Sequence, residues 1–184
     1  MIYSQYQISR NLSWQVLINE KINALPINLV ELCRSMGIAV KLYNPLDSNS
    51  GMTIMINSVP VILVTANESR ERQRFTVAHE LGHILLGHVG KYKLVNREPS
   101  PNDNPIEQAA NVFASRLLAP ACVLWGCKVK SVDEIMRMCG ISRAAAEFRQ
   151  QRMNELLKRN KFLIHPLERK VYFQFSDYIS KNKL

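Results

Sequence analysis

The pentapeptide His79-Glu80-Leu81-Gly82-His83 constrains this chain most, because two histidines four residues apart share a face only where the segment is helical. The flanking sequence agrees. Apolar Val77, Leu81, Ile84, Leu85 and Val89 recur at helical spacing, Asn67 or Ser69 can cap the N-terminus, and Glu68 and Glu71 favour its positive end. The spacing predicts a helix that runs to about His88 and stops near Gly90. On such a helix both imidazoles reach one ion. Glu80 lies about 100° around the axis, badly placed to ligate that ion but able to accept a proton from a water beside it. A Zn²⁺ with three protein ligands keeps a fourth position for water, lowers its pKa towards about 7 and polarises a carbonyl. These are the minimum parts for peptide hydrolysis. The competing reading, two surface histidines on an amphipathic helix, is weak, since the four histidines of this chain give only about 0.005 chance occurrences of H-E-x-x-H.

A third ligand must come from elsewhere. The extended pattern H-E-x-x-H-x-x-G-x-x-H fails, because Leu86 and Val89 stand where Gly and His are required. His88, five residues beyond His83, points away from the His79/His83 stripe on a continuous helix and suits a capping or surface role. A second strong helix is expected from about Asn104 to Leu118, capped by Asn104, with Pro105 in its first turn and Pro120 beyond its end. Its acidic residues are Asp103, just before it, and Glu107; four residues after Glu107, Asn111 shares the same face. Glu107 as a carboxylate ligand, with Asn111 bonded to a ligating histidine, suits a zinc site. At this level a carboxylate merely favoured at a helix N-terminus explains Glu107 equally well, and a solvent-facing amide explains Asn111 better.

The rest of the chain frames that pair of helices. An N-terminal helical segment carries Trp14, Leu17 and Ile18. After a Leu25-Pro26 break, Pro26 suits a first helical turn and Gly37 the position just past the end. Ile38–Tyr43, Met52–Asn57 and Pro60–Thr65 read as short strands, with a tight hairpin at Asn57-Ser58. Residues 90–105, with three prolines and several Asn, form a connection long enough to gate or read a substrate, or simply to connect. Val132–Met138 and Ser142–Arg159 read as helices around Cys139-Gly140, followed by an aromatic tail. Cys33, Cys122, Cys127 and Cys139 lack the spacing of a zinc site and are expected to be reduced thiols used as small hydrophobes. No signal sequence is visible and no uninterrupted apolar run approaches about 18 residues, so a cytoplasmic location without a membrane span is expected.

Two blocks carry a family resemblance. Arg72-Gln73-Arg74-Phe75-Thr76-Val77-Ala78-His79-Glu80-Leu81-Gly82-His83 is followed by Ile106-Glu107-x-Ala109-Ala110-Asn111-x-Phe113-Ala114-x-x-Leu117-Leu118-x-Pro120. Together, and in this order, they resemble the ImmA/IrrE family of bacterial and phage metallopeptidases, most clearly over residues 25–120. The resemblance implies an α+β, zincin-like fold of gluzincin type, with a small, mostly antiparallel sheet packed on the HExxH helix and helices at the C-terminus. It implies Zn²⁺ ligands at His79, His83 and Glu107, with Glu80 as general base. It also implies regulatory proteolysis of a helix-turn-helix repressor of a phage or mobile element. Ala109 stands where many relatives carry Glu or Gln, which puts no ligand in doubt. Tyr92, Tyr172 and His165 are unranked candidates for stabilising the oxyanion.

The division expected is a metallopeptidase core over residues 1–127 and a basic helical extension over 128–184, packed on that core. Of the net charge of +9, +7 lies in the extension. Its helix–Gly140–helix outline resembles a degenerate helix-turn-helix, and Arg143, Arg149, Arg152, Lys158 and Arg159 could meet phosphates. Two amphipathic helices packing on a core explain Ile135, Met138, Ile141, Ala145, Phe148 and Leu156 as well. DNA binding is thus weakly supported, and docking of a protein partner somewhat better. The alternative to a protease is a metal-bound transcriptional regulator that acts by binding protein or DNA; it has no need of a general base such as Glu80.

Overall fold

The computed structural model describes residues 3–44, 49–89 and 104–183. Its elements run α1 (Tyr3–Asn19), α2 (Leu29–Ser35), β1 (Ala39–Tyr43), β2 (Gly51–Ile56), β3 (Val59–Thr65), α3 (Arg70–Leu85), α4 (Pro105–Leu118), α5 (Ala121–Gly126), α6 (Val132–Cys139), α7 (Arg143–Lys158), α8 (Pro166–Gln174) and α9 (Ser176–Lys181). They form a mixed α+β protein with one small sheet. Two compact units divide it: Met1–Arg10 with Asn28–Ala114, and Asn11–Ile27 with Ser115–Leu184.

In the first unit the strand order is β1-β3-β2. The expected hairpin is present: β2 and β3 pair antiparallel around Asn57 and Ser58, whose positive φ values of 49° and 65° match the twist of a two-residue turn. β1 takes the other edge of β3 and pairs with it in parallel, Ala39 to Val61 through Tyr43 to Thr65, so the sheet is mixed. β1 and β3 run the same way because the chain passes from β1 to β2 across the sheet before turning back tightly into β3. Val61, Ile62 and Val64 are buried in the central strand; α3, which packs on β3 and β2, buries Val77, Ala78 and Leu81, and α2, which packs on β1 and α3, buries Leu32 and Cys33. α2 begins at Leu29, not at Pro26, because Asn28 caps it: its Oδ1 accepts from Glu31 N at 3.2 Å and its Nδ2 donates to Glu31 Oε2 at 3.1 Å. Gly37 lies past the helix end with φ 72°.

The second unit is helical. Ser131 and Glu134 cap α6 reciprocally, Gly140 ends it in the left-handed conformation, and Ser142 caps α7. Trp125 stacks on Phe162 at 5.2 Å and meets Tyr172 at 5.9 Å, so the aromatic tail packs on α5. Gln174 Nε2 donates to the carbonyls of Leu17 and Ile22. All four cysteines are free and buried. Pro105–Gly126 is, among the described residues, long and apolar enough to cross a membrane by length and composition. It breaks at Pro120 between α4 and α5, and it buries Ala109, Ala110, Phe113, Leu117 and Leu118, as a core helix does.

Candidate metal centre

α3 starts where Ser69 Oγ accepts from Arg72 N at 3.3 Å, so Ser69, rather than Asn67, is the cap. It ends at Leu85, three residues earlier than the periodicity predicts. Gly87, at φ 71°, takes a left-handed conformation that stops the helix and turns the chain. α4 begins at Pro105, with Asn104 Oδ1 accepting from Ile106 N at 2.9 Å. The two helices come close at Gly82, where an added Cβ would sit 2.9 Å from Phe113 Cδ1 and 3.4 Å from the Ala110 backbone. The glycine inside the pentapeptide is therefore what lets α4 approach the histidine-bearing helix.

That approach brings the expected ligand residues together. His79 Nε2 and His83 Nε2 are 2.9 Å apart, and the Glu107 oxygens lie 3.1 Å and 3.2 Å from them. All three can offer a ligand atom within a span of 4.8 Å, a group able to hold a metal ion. A tetrahedral ion with bonds of about 2.0–2.1 Å holds its donors roughly 3.3 Å apart, close to the spacing here.

The hydrogen bonds behind the donors explain why they face one another. His79 Nδ1 meets Asn111 Oδ1 at 2.8 Å. Since Oδ1 only accepts, Nδ1 carries the proton, and neutral His79 turns a lone pair towards His83 and Glu107. His83 Nδ1 meets His88 Nδ1 at 3.0 Å, and in the tautomer that donates to His88, His83 too turns a lone pair inward. Lone pairs converging on a carboxylate call for a cation between them. Where the rings instead carry protons on the Glu107 side, hydrogen bonds from His79 first, then from His83, hold the Glu107 carboxyl well below the usual carboxylate range, against the opposing effect of burial.

Glu80 is buried on the side of α3 that meets β2, where Thr53 Oγ1 donates to its Oε2 at 2.9 Å. Gly51, two residues earlier on the same strand face, lies against Thr76, four residues earlier on α3. Two strand residues advance about 6.7 Å. Four helical residues advance about 6 Å, so β2 and α3 stay in step over this stretch.

Sequence reasoning missed Thr53 and misjudged His88. Nothing local marks Thr53, whose partner is 27 residues away. His88 had a signal in Gly87, but with the helix carried on to Gly90, His88 faces elsewhere. Of the oxyanion candidates, Tyr92 lies outside the described residues, as do residues 90–103 of the long connection. His165 and Tyr172 serve the second unit: His165 Nδ1 accepts from Leu167 N at 3.2 Å to cap α8, and Tyr172 packs on Trp125.

A short sheet packed on a helix whose histidines converge with a glutamate from the next helix defines an α+β protein with a candidate metal centre. Its relatives agree. The IrrE N-terminal-like domain, Peptidase_M78, matches residues 33–151, and the chain belongs to this ImmA/IrrE family of metallopeptidases. The match extends through most of α7, beyond the two sequence blocks. Metallopeptidase ImmA of Bacillus subtilis (strain 168) is 33% identical over 92 residues, which are 50% of this chain and 53% of that protein. The chain thus spans about half the length of this curated relative. A Mycobacterium tuberculosis transcriptional regulator shares the fold with a TM-score of 0.53 at 17% identity, over 79% of this chain and 46% of that one.

Proposed function

We propose that this protein is a cytoplasmic zinc-dependent endopeptidase with a zincin-like core of gluzincin type, and that it cleaves a helix-turn-helix transcriptional repressor of a phage or mobile element. The convergence of His79 Nε2, His83 Nε2 and the Glu107 carboxylate carries this reading. Two neutral imidazoles and one carboxylate suit Zn²⁺, which when bound supplies Lewis acidity towards water and the scissile carbonyl. Glu80, next in sequence to His79 and held by Thr53, takes the proton of the attacking water and returns it to the leaving amine. Asn111 keeps the His79 ring turned inward. Membership of a metallopeptidase family supports proteolysis, and the resemblance carried by the two sequence blocks supports a repressor as its target.

The helix–Gly140–helix outline of α6 and α7 favours a second reading, a metal-bound regulator that acts by binding. If so, protein is the better partner than DNA. The exposed side of α7 mixes Glu147, Phe148, Gln151, Asn154 and Leu157, and two of its arginines are engaged, Arg143 with Asp133 and Arg152 with Glu155.

Glu80→Gln separates the readings. The variant should bind zinc like the wild type, and cleavage of a candidate repressor should fall by about 10²–10⁴-fold. A Glu80→Gln protein that relieves repression in cells at the wild-type level would overturn the protease reading.

A further inference from the structure

We infer that Gly87 and His88 form a clasp that fixes the orientation of His83, with His88 as a positioning residue for metal binding and not a ligand. The inference rests on the metal centre proposed above and adds to it a residue outside the ligand set. Five residues along a continuous helix, His88 would lie about 140° around the axis from His83 and could not reach it. The left-handed conformation at Gly87, φ 71°, breaks the helical path directly after α3, and His88 N bonds to the His83 carbonyl at 2.9 Å. The two rings then meet Nδ1 to Nδ1 at 3.0 Å, with centroids 5.1 Å apart and planes at 64°.

This arrangement does for His83 what Asn111 does for His79. A histidine that binds a metal through Nε2 carries its proton on Nδ1, and an acceptor there fixes both the tautomer and the ring rotation. His88 provides that acceptor by keeping its own Nδ1 unprotonated and its proton on Nε2. The two ligand histidines are thus held from opposite ends of the sequence block, His79 by α4 and His83 by the turn that ends its own helix. Among the described residues, His88 is not within the group that can share one ion.

Zinc affinity tests this without a substrate. Purified full-length wild type, His88→Asn, His88→Phe and Gly87→Ala would be titrated with Zn²⁺ against a chromophoric chelator, and with Co²⁺ for the visible spectrum. Asn presents an acceptor as Asn111 does, so His88→Asn should stay within about threefold of wild type, with an unchanged Co²⁺ spectrum. His88→Phe should lose about 10–100-fold. Gly87→Ala, strained at positive φ, should lose affinity too because it displaces His88. His88→Phe with wild-type affinity overturns the inference. So does an altered Co²⁺ spectrum in His88→Asn, which would make His88 a ligand. A wild type that binds neither metal sinks the metal centre itself, a separate outcome. Circular dichroism of the metal-free proteins checks folding, and His88→Leu repeats the apolar arm should the Phe variant not fold.

Discussion

Gly82→Ala sets two known effects against each other, and the sign of the result reports whether α3 and α4 meet as described. In a helix interior, replacing Gly by Ala stabilises by about 1 kcal/mol when the new methyl has room. Here the methyl carbon would lie 2.9 Å from Phe113 Cδ1 and 3.4 Å from Ala110 Cα and O. Phe113 is fully buried, so its ring cannot swing into solvent. Overpacking of this kind costs about 1–3 kcal/mol. The net expectation is destabilisation by about 0–2 kcal/mol, and at this chain length each kcal/mol lowers Tm by roughly 2–4 °C. Thermal melts in chelator isolate that change from metal binding. Relief by outward movement of α4 carries Glu107 with it, and ligand distances tolerate only about ±0.2 Å, so zinc affinity should fall about tenfold or more. A variant that melts higher than wild type and binds zinc equally well would refute the close approach and the role assigned to Gly82.

Thr53→Val should leave zinc stoichiometry intact and lower cleavage by about 5–30-fold, the equivalent of 1–2 kcal/mol in placing Glu80, with Thr53→Ser restoring most of it. Asn111→Ala should weaken zinc binding by about 10–100-fold in chelator competition; unchanged affinity would mean that the His79 ring needs no partner. The thiols should be inert, because burial pushes Cys33 up to about 12 and Cys127 up to about 11, and raises Cys122 further. Raised values mean less thiolate at any given pH, so a thiol reagent at pH 8 should label none of the three in native protein and all of them in denaturant.

Much of the first unit was legible because its signals are local. Ser69, Asn104 and Pro105 mark helix starts, Asn57-Ser58 marks the hairpin, and the His79/His83 spacing marks a shared face. Glu107 was ambiguous from the residues alone, since a carboxylate in a first helical turn is at home with or without a metal. It took the second block, matched as a family pattern, to single it out. The parallel pairing of β1 with β3 was not legible, because it depends on which edge of β3 the chain has already used. α5 went unread, as a six-residue helix between Pro120 and Cys127 has no periodicity to detect. The end of α3 was missed for a definite reason: apolar spacing continues through Val89, while the backbone conformation at Gly87 overrides it.

The hairpin at Asn57 and Ser58 has a bearing on inheritance and mutation. Side chains of a strand alternate faces, so the two-residue turn is what places Thr53 opposite Ile62 and on the side of Glu80. Inserting one residue in that turn, with β3 kept in place, would rotate Thr53 to the far face and offer Met52 or Ile54 to the carboxylate instead. Three residues, Ile54, Met55 and Ile56, separate the turn from Thr53. On the proposed function, a change at an exposed loop tip would thus silence the enzyme while every proposed ligand and the proposed general base stayed spelled correctly.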